Sequence, residues 1–83
     1  MFHKIQLHFT DVKIGDMLLI HDQTQKIAHR AFSVYEVIEE DDTSYLVAAI
    51  DQGQHQYTKW FYKATNTSYH WPAQVIGLIE KKT

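Results

Sequence analysis

An 83-residue chain with a net charge of −2 and no cysteine has room for one domain, and it excludes disulfides and thiolate metal sites as sources of stability. Its 45% hydrophobic and 13% aromatic content is enough for a packed core and excludes a disordered chain. No apolar run approaches the roughly 20 residues that a membrane span needs, and Met1–Ile5 shows no basic region followed by an apolar run, so no secretory leader is expected. Small secreted domains usually need staples, so the expectation is a soluble cytoplasmic domain covering 1–83.

Taken in order, Ile5, Leu7 and Phe9 alternate with Lys4, Gln6 and His8, the period-2 pattern of a half-buried strand over 2–9. A turn over Thr10–Asp16 follows, with Gly15 supplying positive φ and Asp16 able to bond nearby backbone. Met17–Ile20 is a continuous apolar run, expected to be a strand buried on both faces. Asp22-Gln23-Thr24-Gln25 resembles a weak helix-start box, and Ile27, Ala28, Ala31 and Phe32 would share a helical face. One short helical turn within 23–31 is therefore an option. The preferred reading is a polar loop and a strand that begins near Ile27 or Ala28, because Phe32–Ile38 is rich in β-branched and aromatic residues.

Glu39–Ser44 then reads as an acidic hairpin tip and Tyr45–Ile50 as its second strand, with a further turn at Asp51–Gln54 around Gly53. Gln56–Lys63 is the next strand, expected to be an interior strand of the meander. Ala64–Ser68 is a turn of residues that bond locally to backbone. Tyr69-His70-Trp71 extends until Pro72 stops the ladder, and Gln74–Glu80 closes the sheet. The fold class expected is all-β, a small five- to seven-stranded antiparallel barrel or strongly bent sheet of SH3-like kind.

Charge is unevenly spread. Residues 1–35 carry +1, residues 36–51 carry −6, and residues 52–83 carry +3. A duplex DNA-binding domain shows a basic surplus, and here only the last third offers one.

Most candidate sites dissolve on inspection. The six histidines lack any His-x-His or His-x-x-x-His pair, so no metal site is expected. The acidic tip Glu39-Glu40-Asp41-Asp42 lacks the alternating ligand spacing of a calcium loop, and a solvated tip that discourages edge-to-edge pairing explains it. No serine sits in a Gly-x-Ser-x-Gly elbow, and Glu36 and Glu39 fall on opposite strand faces, so the chain is read as non-enzymatic and without cofactors.

The Gln56–Lys63 stretch is different. It holds four of the eleven aromatic residues and two of the seven lysines. Tyr57, Lys59, Phe61 and Lys63 would share one strand face, interleaving rings with cations as single-strand nucleic-acid platforms do. Arg30, Tyr69, His70 and Trp71 would extend it. The competing structural reading puts these rings in the core with the lysine heads reaching out to solvent.

Ile14-Gly15-Asp16 followed by Met17–Ile20 resembles the Gly-Asp and apolar strand of small bacterial β-barrels, among them SH3-like modules and the β-domain of the LexA-like and signal-peptidase group. In the second group, Tyr57–Phe61 and Val75–Ile79 look similar in order to the lysine-bearing and terminal strands. The resemblance implies the same kind of barrel. It implies no catalysis, because that group's serine lies upstream of the Gly-Asp turn and no serine precedes Gly15. The functional expectation is a binding module whose contact residues are Tyr57, Lys59, Phe61, Lys63, Tyr69, His70 and Trp71. Its partner is a protein or a second copy, with single-stranded nucleic acid or RNA as the alternative. A small inhibitor or accessory protein of a mobile element is a third reading.

Overall fold

The computed structural model describes residues 5–6, 11–51 and 53–79. The chain is nearly all strand: β1 (Ile5–Gln6), β2 (Met17–Asp22), β3 (Phe32–Glu40), β4 (Ser44–Asp51), β5 (Gln54–Tyr62) and β6 (Ala73–Ile79), with one helical turn α1 at Ala28–Ala31. All neighbouring strands are antiparallel and form a single bent sheet in the order β1-β6-β2-β3-β4-β5. The sheet is open. β5, expected in the interior of the meander, is its edge strand.

The apolar alternation sets which face is covered. Leu18 and Ile20 on β2, Val37 on β3, Tyr45 and Val47 on β4, Phe61 on β5 and Val75 on β6 are buried together, with Val12 and Ala73 completing the cluster. Their strand partners Met17 and Leu19 are only half-buried, so β2 is not buried on both faces as its composition suggests. Three register shifts bend the sheet around this core, between Leu19 and Ile20 along β2, Val37 and Glu39 along β3, and Val47 and Ala49 along β4. At the last of these, Tyr57 takes φ +56° on β5 opposite the skipped Ala48. Such a bulge increases local twist and re-aims the side chains that follow it.

The turns follow their local chemistry. Gly15 sits at φ +96°, and Asp16 Oδ2 accepts the Lys13 N–H at 2.8 Å. Asp41 organises the β3–β4 tip by accepting the backbone N–H groups of Thr43 and Ser44 at 2.9 and 2.7 Å. Those two bonds favour the ionised carboxyl and hold it below its ordinary range. Gly53 closes the β4–β5 hairpin at φ +78°. Between β2 and β3, the strand expected from Ile27 or Ala28 begins only at Phe32, because α1 takes the preceding four residues. Ala31 is what this turn buries. Most of the expected 2–9 strand lies outside the described residues, and only Ile5 and Gln6 are placed, against Ile79 and Leu78.

Two outcomes follow. Phe61→Ala removes a fully buried ring and should cost about 3–5 kcal/mol. The change at its part-exposed neighbour, Tyr62→Ala, loses mainly a stack on Tyr69 and should cost about 0.5–1.5 kcal/mol. Urea unfolding of both variants checks the contrast. Asp41 has a depressed folded pKa, so its contribution is complete above the unfolded carboxyl value and is lost as pH falls through the folded one. The difference in urea midpoint between the native chain and Asp41→Ala should be full at about pH 6 and close below about pH 4.

Candidate functional site

The site begins with the segment that follows β5. Asn66 takes φ +56°, a left-handed conformation that asparagine tolerates better than most residues. Its Oδ1 accepts the hydroxyl of buried Tyr45 at 2.9 Å, and its backbone bonds Tyr62 on one side and Val75 on the other. The chain then runs briefly between β5 and β6, with Ser68 bridged to Phe61 and Thr67 bridged to Gln74. The Tyr62 N–H donates to the Thr67 carbonyl at 2.9 Å, and the Tyr69 N–H donates to the Trp60 carbonyl at 3.1 Å. Residues 69–72 bend instead of extending the ladder, which corrects the expected strand at Tyr69-His70-Trp71. A bond from the Ala73 N–H to the Trp71 carbonyl tightens that bend.

Where the bend departs from the edge of β5, a cleft of about 360 Å³ opens, lined by Thr58, Lys59, Trp60, Ser68, Tyr69, His70 and Trp71. That lies at the small end of the roughly 300–1,000 Å³ range of ligand sites, enough to hold a few side chains. Its walls are held from behind. Trp71 packs edge-on to Phe61 at 6.1 Å and tilted against Tyr35 at 5.7 Å, and Lys59 Nζ lies 5.9 Å from its ring centroid. Tyr69 stacks on Tyr62 at 4.1 Å, and its hydroxyl bonds the Oγ of Ser44, a buried polar group at the start of β4. Trp60 and Tyr69 each keep 38% of their surface exposed.

The electrostatics are simple. Among the described lining residues Lys59 is the one lysine, and none is a carboxylate. Lys63 is engaged elsewhere: its Nζ lies 3.0 Å from Glu40 Oε2, at the acidic tip. Behind the cleft, burial raises the Tyr35 hydroxyl above its ordinary range, helped by the charge of Asp22. Asp22 itself is held low, first by the Thr24 hydroxyl at 2.6 Å and with a smaller contribution from the Trp71 side chain. Among the described residues no three His, Asp or Glu side chains cluster in a way that could hold a metal ion, and no helix is long and apolar enough to cross a membrane.

The structure brings four of the seven predicted contact residues together, Lys59, Tyr69, His70 and Trp71. The other three part company. Tyr57 is 68% exposed at the bulge, outside the cleft wall. Phe61 is 0% exposed and belongs to the core, so the interleaved Tyr57-Lys59-Phe61-Lys63 face does not exist as one surface. Lys63 pairs with the tip. The side chain of Arg30 lies outside the described residues. Three lining residues escaped the sequence reading: Thr58, Trp60 and Ser68. A reading by strand faces separates Lys59 from Trp60, whereas a cleft running along a strand edge takes in both. No protein-family model, curated protein or solved structure matches the chain.

The Ser44–Tyr69 bond ties the bend to the sheet across 25 residues of sequence. Tyr69→Phe leaves the buried Ser44 hydroxyl without that partner and should cost about 1–2 kcal/mol. Adding Ser44→Ala to Tyr69→Phe should then recover part of the loss, a coupling that a double-mutant cycle in urea measures directly.

Proposed function

We propose that this chain is a non-enzymatic binding module that holds a segment of a protein partner in the cleft between β5 and the 68–71 bend. The observation that carries the reading is the convergence of Trp60, Tyr69 and Trp71 on one cleft beside a single lysine. Aromatic side chains anchor protein interfaces because they offer large, rigid area at small entropic cost, and partly exposed ones beside a preformed recess are the usual anchors. A cytoplasmic setting suits a small domain without cysteine. The finer architecture we propose is a barrel of SH3-like kind. Supporting it, the Phe61–Ser68 and Thr67–Gln74 bridges span the gap between β5 and β6 that the open sheet leaves.

Single-stranded nucleic acid is the second reading, favoured by Lys59 lying over the Trp71 ring, a stacking face with a cation beside it. A phosphate chain, however, needs several cations in succession. Here Lys63 is already paired with Glu40, which leaves Lys59 as the one lysine among the described lining residues.

Selection from a random-peptide phage library, run on the native chain and on Trp60→Ser, tests the reading. The expected result is a recurrent peptide sequence that binds the native chain and loses at least about tenfold in affinity for the folded variant, the effect of losing one aromatic anchor. If no peptide is enriched while a fluorescent oligothymidylate binds with steep salt dependence, the nucleic-acid reading replaces it.

A further inference from the structure

We infer that the cleft takes an extended peptide segment bearing a carboxylate, which adds as a short strand to the edge of β5 at Thr58–Trp60 while its acid pairs with Lys59. The inference rests on the binding-module reading and specifies the partner's chemistry.

Sheet edges are ordinarily covered or made unsuitable for pairing. Along β5 the cover is partial: the Thr67–Tyr69 run bonds the edge at Tyr62 and Trp60, then the chain bends away. The Trp60 carbonyl accepts both the Tyr69 N–H and the Ser68 hydroxyl, so Trp60 presents its backbone to the cleft side. In a strand, the N–H and C=O of one residue leave on the same side. The Trp60 N–H therefore points into the cleft too, and among the described residues the 67–71 segment supplies no backbone acceptor for it. On the other flank, the bulge at Tyr57 with φ +56° ends the regular edge. The open stretch is thus about two or three residues long, which matches a cleft of 360 Å³ and a short added strand.

A polyproline-type ligand docks between free aromatic faces and uses little backbone pairing. Here Tyr69 has one face stacked on Tyr62 and Trp71 is packed against Phe61 and Tyr35, which leaves Trp60 as the one lining Tyr or Trp ring without an aromatic partner among the described residues, and a single open ring does not make a pair of faces to dock between. Beside that ring the cleft offers the Trp60 N–H and the exposed Thr58 hydroxyl, neither of which bonds another described residue. Those groups suit an extended main chain.

Among the described residues the cleft is lined by one ammonium and no carboxylate, so a single acidic side chain is complemented, whereas a basic segment is not.

The test is an amide-resolved NMR titration of the full chain with four acetylated, amidated heptapeptides. The first alternates threonine and valine around a central glutamate. The second replaces the glutamate with glutamine. The third is the first with its two central amides N-methylated, and the fourth is proline-rich with one glutamate. Expected is a saturable shift at the Trp60 and Lys59 amides with the first peptide. Binding should be at least fivefold weaker with the glutamine peptide or with Lys59→Gln, and absent with the N-methylated peptide. Equal binding of the N-methylated or proline-rich peptide overturns the added strand and leaves the module reading standing. Equal binding of the glutamine peptide overturns the carboxylate assignment alone. No shift with any of the four overturns the inference, and the module reading falls with it only if the phage selection also yields nothing.

Discussion

The structure depends on the burial of Phe61. Its ring stacks on Tyr45 at 5.7 Å and meets Trp71 edge-on at 6.1 Å, so one side chain joins β4, β5 and the bend before β6. Aromatic rings are effective fillers in a domain this small, because each buries a large area at little cost in rotamer entropy. Burying Phe61 also fixes the phase of β5. A one-residue slip would exchange every side chain between the two faces and put Trp60 inside in its place. With Phe61 in, Trp60 and Tyr62 must lie on the outer side, where they are partly exposed.

The second constraint is the route from β5 to β6. Asn66 accepts the left-handed turn and ties its side chain to Tyr45, so the loop is anchored to the same aromatic pair that fixes the strand. The chain that leaves Asn66 fills part of the opening between β5 and β6 and then bends at residues 69–72. The cleft is the remainder of that opening. Its walls are positioned by core packing on one side and by the Tyr69–Ser44 bond on the other, which makes it a preformed recess.

The acidic tip has a structural role that its charge obscures. Asp41 caps its own turn through backbone bonds, and Glu40 holds Lys63, so part of the negative charge of residues 36–51 is used locally. An exposed pair of this kind contributes at most about 1 kcal/mol. Its larger effect is to withdraw Lys63 from any common surface with Lys59. The domain's two central lysines thus serve different ends, although only three residues separate them.

The sequence by itself determined the class of fold. Alternation and β-branched composition placed strands near 2–9, 17–20, from about 27 to 38, 45–50, 56–63, 69–71 and 74–80, of which the third begins later than expected and 69–71 is a bend, and Gly15, Gly53 and the 64–68 segment marked the turns. These are local signals, since a strand's period and a turn's φ are properties of a few adjacent residues. The sequence also pointed to Lys59, Tyr69, His70 and Trp71. Tertiary structure alone decided the rest: that β5 lies at an edge, that Tyr57 is thrown outward by a bulge, that Phe61 is core, and that Thr58, Trp60 and Ser68 share a cleft with residues from both sides of β5. Strand order, register shifts and the packing partner of a ring are set by contacts between residues far apart in the chain, and no local pattern encodes them.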